Sequence, residues 1–256
     1  MKKRIYMFGI ALCVLLFCIS MFQVIRHYAN AQKYTEDFEK LAEIVGQSEE
    51  SDEGTEEGAG GEEVSPLDCY QELFRQNHDL AGWISIEGTN INYPVMYTPD
   101  KPDFYLKHSF EKEYSDYGVP YIAGDCDPVK PSDNLIIYGH HIKGGKMFGA
   151  LMDYTEKSFY EKHKTIRFDT LTEVAEYEVI AVFKTTVYGK SGFKYYSFVN
   201  AETEGDFDAY IKGCKELAFY DTGVSAEYGD KLITLSTCEY SAQNGRLVVV
   251  AKKIVE

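Results

Sequence analysis

From Gly82 to the end, the chain is a succession of short apolar runs cut apart by Gly, Pro, Asp and Asn. The runs cover residues 83–86, 91–97, 119–123, 134–138, 165–169, 174–184, 231–237 and 246–255. Most alternate apolar and polar positions, the period of a strand with one buried face. The breaks carry the residues that turns demand. About eight such strands give a mainly β domain, and the way for it to leave no unpaired edge is a closed or nearly closed β-barrel. No internal repeat is visible.

Helical spacing interrupts this pattern in a few places. Ser65 is a good N-cap and Pro66 suits a first helical position, so a helix is expected over 66–78, with Leu67, Tyr70, Leu73 and Phe74 as its apolar stripe. A short helix is expected over 146–154. A longer one, over 204–218, sets Phe207, Tyr210, Ile211, Cys214 and Leu217 on one side. It lies inside a connection of residues 185–230 between two strands, and connections of that length in a compact domain usually serve function.

The N-terminal end reads differently. Lys2, Lys3 and Arg4 precede 21 residues, 5–25, with no charge, close to the ~20 that cross a bilayer as a helix. The basic flank belongs on the cytoplasmic side, so the expectation is a single-pass membrane anchor with the remainder outside the cell. A cleaved signal peptide is the weaker alternative: its apolar section is shorter, and Ala29-Asn30-Ala31 is a poor cleavage site. Residues 31–45 put Tyr34, Phe38, Leu41 and Val45 on one face of a stalk helix. Residues 46–65 hold eight acids, five glycines and no base, the composition of a flexible, self-repelling tether. The organisation expected is therefore an anchor (1–25), a stalk and linker (26–65) and a folded domain (66–256).

The formal charge is −15, with 26 basic residues against 41 acidic ones, and past residue 25 no more than 23 bases remain to face all 41 acids. Such a surface repels phosphates, which argues against a nucleic-acid partner. Six cysteines occur without a CxxC pair and without a Cys/His cluster at zinc spacing, so neither a metal nor another cofactor is expected. Cys69, Cys126 and Cys214 read as small buried apolar side chains, with one disulfide among them left open.

Two strand ends carry the residues suited to chemistry. Lys231-Leu-Ile-Thr-Leu-Ser-Thr-Cys238 alternates as a strand, gives way to a polar turn over 239–245, and Arg246 opens the next run. If the two strands are neighbours, Cys238 and Arg246 face one cavity. A thiolate is the useful form of a nucleophilic cysteine and a nearby cation favours it. A guanidinium also donates to a developing oxyanion and keeps its charge. The bland reading is a buried cysteine closing a strand beside a surface arginine. The run Asn134-Leu-Ile-Ile-Tyr-Gly-His140-His141 likewise ends in glycine and then an imidazole, the side chain best suited to exchange a proton near neutrality. His141 would point the opposite way along an extended chain, and no third residue makes a metal site of the pair. His27, His78, His108 and His163 are expected at the solvated surface.

Thr234-Leu235-Ser236-Thr237-Cys238, followed by a strand-initial Arg246, resembles the TLxTC signature of the sortases, and Ile137-Tyr138-Gly139-His140 is similar to the strand that delivers their histidine. A helix before the barrel and another in the long loop before the Cys strand are similar to class B. The resemblance covers roughly residues 67–255. It implies a sortase-type eight-stranded barrel that acts as a cysteine transpeptidase, with Cys238 as nucleophile, His140 as proton donor and acceptor, and Arg246 as oxyanion and substrate stabiliser. Ser236, Thr237 and Glu239 fall where the family lines its substrate groove. The loop between Cys238 and Arg246 is short for the family. The partners implied are secreted proteins bearing a C-terminal sorting motif, cut after its Thr, and an amine of peptidoglycan or of its lipid-linked precursor. The same resemblance makes 66–256 the catalytic domain.

Other readings fit less well. An L,D-transpeptidase keeps a Ser-x-Gly-Cys element that Ser236-Thr-Cys-Glu239 lacks, and a papain-like peptidase sets its cysteine at a helix start. A non-catalytic binding module on a stalk would be indifferent to alkylation of Cys238. A pilus-polymerising sortase usually carries a lid before the barrel and often a C-terminal anchor, neither of which is visible.

Overall fold

The computed structural model of the protein describes residues 2–53, 66–188 and 192–255. Its strands are β1 (Leu80–Ser85), β2 (Asn92–Met96), β3 (Tyr121–Ile122), β4 (Asn134–Tyr138), β5 (His141–Ile142), β6 (Lys146–Met147), β7 (Thr165–Thr170), β8 (Glu176–Thr186), β9 (Leu232–Glu239) and β10 (Gly245–Lys253). Eight of them close a barrel in the order β1-β2-β3-β4-β9-β10-β8-β7, and β5 with β6 forms a separate hairpin. Each of the eight runs expected from alternation is one barrel strand. The pairs β2/β3 and β4/β9 are parallel and the rest are antiparallel.

Closure depends on one glycine. At the seam of β1 and β7, a Cβ on Gly82 would stand 2.0 Å from the carbonyl oxygen of Asp169. No other residue lets the two backbones approach so closely. The barrel is filled by Ile84, Val95, Ile137, Phe168, Val179, Leu235, Leu247 and Val249, all essentially without solvent contact. Helix α2 (Pro66–Gln76) packs on β1 and β7, and buries Tyr70 and Leu73. The Tyr70 hydroxyl donates to the buried Asp169 carboxylate at 2.6 Å.

Helix α4 (Glu204–Leu217) occupies the long connection, as its spacing predicted. Thr203 caps it, accepting from the Asp206 N–H while the Asp206 side chain reaches back, a reciprocal arrangement that satisfies two otherwise orphaned donors. Phe207, Tyr210, Ile211 and Cys214 are buried, whereas Leu217 is exposed. The short helix expected over 146–154 is the hairpin strand β6 followed by a 3-10 helix, Phe148–Thr155. A four-residue helix, α3 (Lys157–Tyr160), follows.

The chain divides into two compact units, Met1–Glu43 and Ile44–Glu256. The first unit is helix, the greater part of α1 (Lys2–Glu53), which carries Tyr34, Phe38 and Leu41 of the expected apolar face. Among the described residues no helix is long and apolar enough to cross a membrane. This corrects the single-pass anchor and the location outside the cell that was derived from it. The uncharged stretch does not form an element of its own. It is the opening part of one continuous 52-residue helix that runs on through Arg26, Lys33, Glu36 and Asp37. A count of uncharged residues measures the run and not the helix that carries it. The helix also extends beyond the expected stalk, through 46–53, where Gln and Glu favour it. The remainder of the acidic linker, 54–65, lies outside the described residues, as does the Ser65 cap.

Two histidines expected at the surface are partly enclosed. His108 stacks on Phe104 with ring centres 3.8 Å apart, and Nδ1 of His163 lies 2.8 Å from the Glu87 carbonyl. His78 is exposed, and the His27 side chain lies outside the described residues. Cys126 and Cys214 are buried and form no disulfide. Burial pushes their thiols up to about 11 and about 12 respectively, which leaves both protonated at neutral pH. Cys69 is half-buried where full burial was expected.

Candidate active site

Strands β4, β9 and β10 lie side by side, and their ends carry His140, Cys238 and Arg246. β9 and β10 are antiparallel neighbours, and Arg246 sits directly opposite Cys238. Both are half-buried, so both reach solvent while being held by a rigid sheet. The guanidinium Nη1 donates to the Gly245 carbonyl at 2.9 Å, which steadies one of its two terminal nitrogens.

On the other side, β4 runs parallel to β9, and their last paired residues are Tyr138 and Ser236. His140 and Cys238 each lie two residues further along. Alternation along the strands therefore sets both on the face that carries Tyr138 and Ser236. Gly139 makes this placement firm. Its N–H donates to the Ser236 carbonyl at 3.1 Å, and its own carbonyl accepts from the Thr237 hydroxyl at 2.8 Å. A Cβ on Gly139 would lie 2.5 Å from Cγ of buried Phe148. Gly139→Ala should accordingly push the Phe148 ring out of place and cost about 1–3 kcal/mol, read as a lowered melting midpoint together with reduced activity.

His140 Nε2 lies 2.8 Å from the carbonyl of Leu106, in the connection between β2 and β3. A carbonyl only accepts, so Nε2 holds the proton and Nδ1 is the nitrogen left to face a reaction. Asp116 is within electrostatic reach of His140. Hydrogen bonds from Lys107 and Tyr114 hold its carboxyl below the usual range. His141, the next residue, turns to the other side: its Nδ1 lies 3.0 Å from the Cys238 carbonyl, and its ring stacks on Tyr240.

Behind Cys238, the face of β9 is polar but satisfied. Thr234 donates to Asn134 at 2.8 Å and lies 3.0 Å from the Tyr210 hydroxyl of α4. The Ser236 hydroxyl lies 2.6 Å from that of Tyr195. Buried groups of this kind need partners, and these partners tie the long connection between β8 and β9 to the strand that carries Cys238. Burial pushes the Tyr195 phenol up to about 12, against the Ser236 hydrogen bond and the positive charge of Arg246.

Of the expected groove residues, Ser236 and Thr237 are buried, and their hydroxyls are engaged by Tyr195 and Gly139. Glu239 is also buried, with Ser241 Oγ at 2.6 Å and Lys184 Nζ at 3.1 Å. Burial would raise its carboxyl, but the bonds from Ser241 and Lys184 outweigh that and leave it below its ordinary 4.5. A lowered folded value stabilises the protein above the ordinary value, and that stabilisation is lost as pH falls through the lowered one. Melting midpoints of the protein and of Glu239→Gln should therefore differ at neutral pH and converge in acid, below about pH 4.5.

Reasoning from residue type passes over Leu106, Tyr195 and Tyr240. Leu106 contributes a backbone atom, for which side-chain chemistry gives no signal. Tyr195 lies in the connection already marked as functional by its length. His141 stands out in the sequence but without a partner to give it a role.

The comparisons with known proteins define the class. The family model described as Sortase domain matches residues 84–254. Sortase B of Staphylococcus aureus (strain NCTC 8325 / PS 47) is 35% identical over 187 residues, covering 72% of this chain and 74% of the relative. Sortase B of Listeria monocytogenes serovar 1/2a is 32% identical over 191 residues, 74% of this chain and 75% of that one. Among solved structures, a Staphylococcus aureus sortase B–substrate complex superimposes with a TM-score of 0.76 at 31% identity, covering 88% of this chain and 98% of that one. Sortase B from Bacillus anthracis gives 0.73 at 26%, covering 90% and 100%. The class is that of barrel-fold cysteine transpeptidases. The chain belongs to the sortase family, and within it is most like class B.

Proposed function

We propose that Cys238 is the nucleophile, Arg246 the oxyanion stabiliser and His140 the proton carrier in cleavage of a C-terminal sorting motif after its Thr. The observation that carries this reading is the pairing of Cys238 with Arg246 across β9 and β10, with His140 on the adjoining strand end.

The Cys238 thiolate attacks the Thr carbonyl carbon, and the electron pair moves to oxygen beside Arg246. Collapse of this intermediate expels the amine of the following residue, to which His140 gives a proton. A thioacyl enzyme remains. An amine of peptidoglycan or of its lipid-linked precursor then attacks the thioester, His140 takes the proton back, and the thiolate leaves. The Leu106 carbonyl keeps the His140 ring oriented so that one nitrogen serves both transfers. Ser236, Thr237 and Glu239 form the wall and support of the groove. The connection between β8 and β9, brought to the site by Tyr195, selects the peptide. We assign these roles to a catalytic unit of residues 66–256.

One relative is described as a substrate complex and another, also a sortase B, as complexed with triglycine, which supports a peptide donor and a small-amine acceptor here. The test is cleavage of fluorogenic peptides that begin with Asn-Pro, Ser-Pro or Leu-Pro, with and without an added amine. Class B likeness favours the first two. Cleavage after Thr, with a thioacyl adduct trapped on Cys238 and product diverted to the amine, is the expected result. Cleavage elsewhere, or no adduct at Cys238, rejects the reading.

A further inference from the structure

The two adjacent histidines are bound to different parts of the molecule, and the second holds the strand end that the first must serve. Gly139 N–H takes the Ser236 carbonyl, at 3.1 Å. The next carbonyl on that edge of β9, two residues on, belongs to Cys238. By then the chain after β4 has turned into the β5/β6 hairpin. The Cys238 carbonyl is met by a side chain, Nδ1 of His141, at 3.0 Å. Since a carbonyl only accepts, Nδ1 carries the proton in this contact, and the bond is compatible with either a neutral or a charged ring. The exposed ring of Tyr240, in the turn after β9, stacks on the imidazole with centres 5.3 Å apart and planes 29° from parallel.

We propose that His141 is a positioning residue for the transpeptidation, clamping the Cys238 carbonyl so that Sγ and the proton carrier His140 keep a constant separation. The inference rests on the reading of Cys238 as nucleophile. His140 lies between two ties to β9: Gly139, bonded at both its N–H and its carbonyl, and His141, bonded through its ring. Three bonds, of 3.1, 2.8 and 3.0 Å, thus lace residues 139–141 to 236–238. The third is the one that reaches the residue bearing the sulfur. It also fixes the plane of the peptide between Cys238 and Glu239, because a peptide bond keeps its six atoms together. Without it, Cys238, next to the last residue of β9, would be held from the β10 side alone. Loss of the clamp should act on the reaction coordinate and not on peptide binding, since an imidazole facing a backbone carbonyl offers nothing to the sorting motif.

The test compares His141→Ala, His141→Gln and His141→Asn in the full chain, with Cys238→Ala beside them. An asparagine Nδ2–H occupies the place of a histidine Nδ1–H, while the longer glutamine reaches the place of Nε2. The expected result is a kcat about 10-fold lower for the Ala and Gln variants, with KM unchanged, and recovery of most of the loss in the Asn variant. The rate at which iodoacetamide alkylates Cys238 should change in the same order. A purely structural role would lower the melting midpoint of all three without separating Asn from Gln. A kcat in His141→Ala equal to that of the unaltered protein, or an Asn variant no better than Gln, overturns the proposal. If Cys238→Ala still cleaves, the nucleophile assignment falls and the clamp with it. If Cys238→Ala is dead and the His141 series is flat, the clamp alone is wrong.

Discussion

Cys238→Ala is expected to abolish peptide cleavage and transfer, by at least about 10³-fold in kcat, while leaving the barrel folded. Removing a nucleophile deletes the covalent route outright, and no neighbouring thiol can replace it. Cys126 and Cys214 are buried, and their thiols lie near 11 and 12, so neither offers a thiolate to a peptide. Cys238 is half-buried at a strand end, and truncating its side chain leaves no large cavity. The melting midpoint should therefore move little. Retained turnover in a correctly folded alanine variant would reject the thioacyl mechanism. Loss of turnover with loss of folding would instead assign Cys238 to packing.

Arg246→Ala should lower kcat by about 10²–10³, equivalent to roughly 3–4 kcal/mol of transition-state stabilisation. Arg246→Lys should recover part of this. Lysine restores the charge but not the planar fork, and its ammonium is held less firmly at the strand end. Arg246 is tied through Nη1 to the Gly245 carbonyl, so the guanidinium starts organised, whereas a lysine has no planar fork to hold in that way. Single-turnover acylation of Cys238 is the measurement to make, because it isolates the step in which the oxyanion forms. A defect confined to KM would mean that Arg246 holds the peptide and not the oxyanion.

Much of the fold was legible because strand alternation and turn residues are local signals. β4, β9 and β10 are apolar runs that start just after Asp, Gly or Asn, and each formed where its pattern placed it. Helix α4 was legible for the same kind of reason, since its stripe repeats at helical spacing, while its Thr203–Asp206 cap emerged only with the structure. The 3-10 helix after β6 was less legible, because its apolar residues are buried all round and keep no clear period. The membrane anchor was misread through a local count, since length without charge describes a run of residues and not the 52-residue helix that contains it.

In the candidate site, the chemistry of Cys238, His140 and Arg246 was recognisable from residue type at strand ends, and so was the family resemblance. Their arrangement was not. Pairing of β9 with β4 joins residues about a hundred positions apart, and register between strands so distant leaves no trace in either strand alone, whereas β10 follows β9 directly in the chain. The contacts of Leu106 with His140, Tyr195 with Ser236 and His141 with Cys238 follow from that register. What the amino-acid sequence determined by itself is a set of strands, their buried faces and the side chains able to exchange a proton or attack a carbonyl, because these depend on neighbours within a few residues. What the tertiary structure alone decided is which backbone carbonyl each imidazole meets and which face Cys238 shares with Arg246. Those depend on closing a barrel, where a shift of one residue in pairing would turn every side chain to the other face.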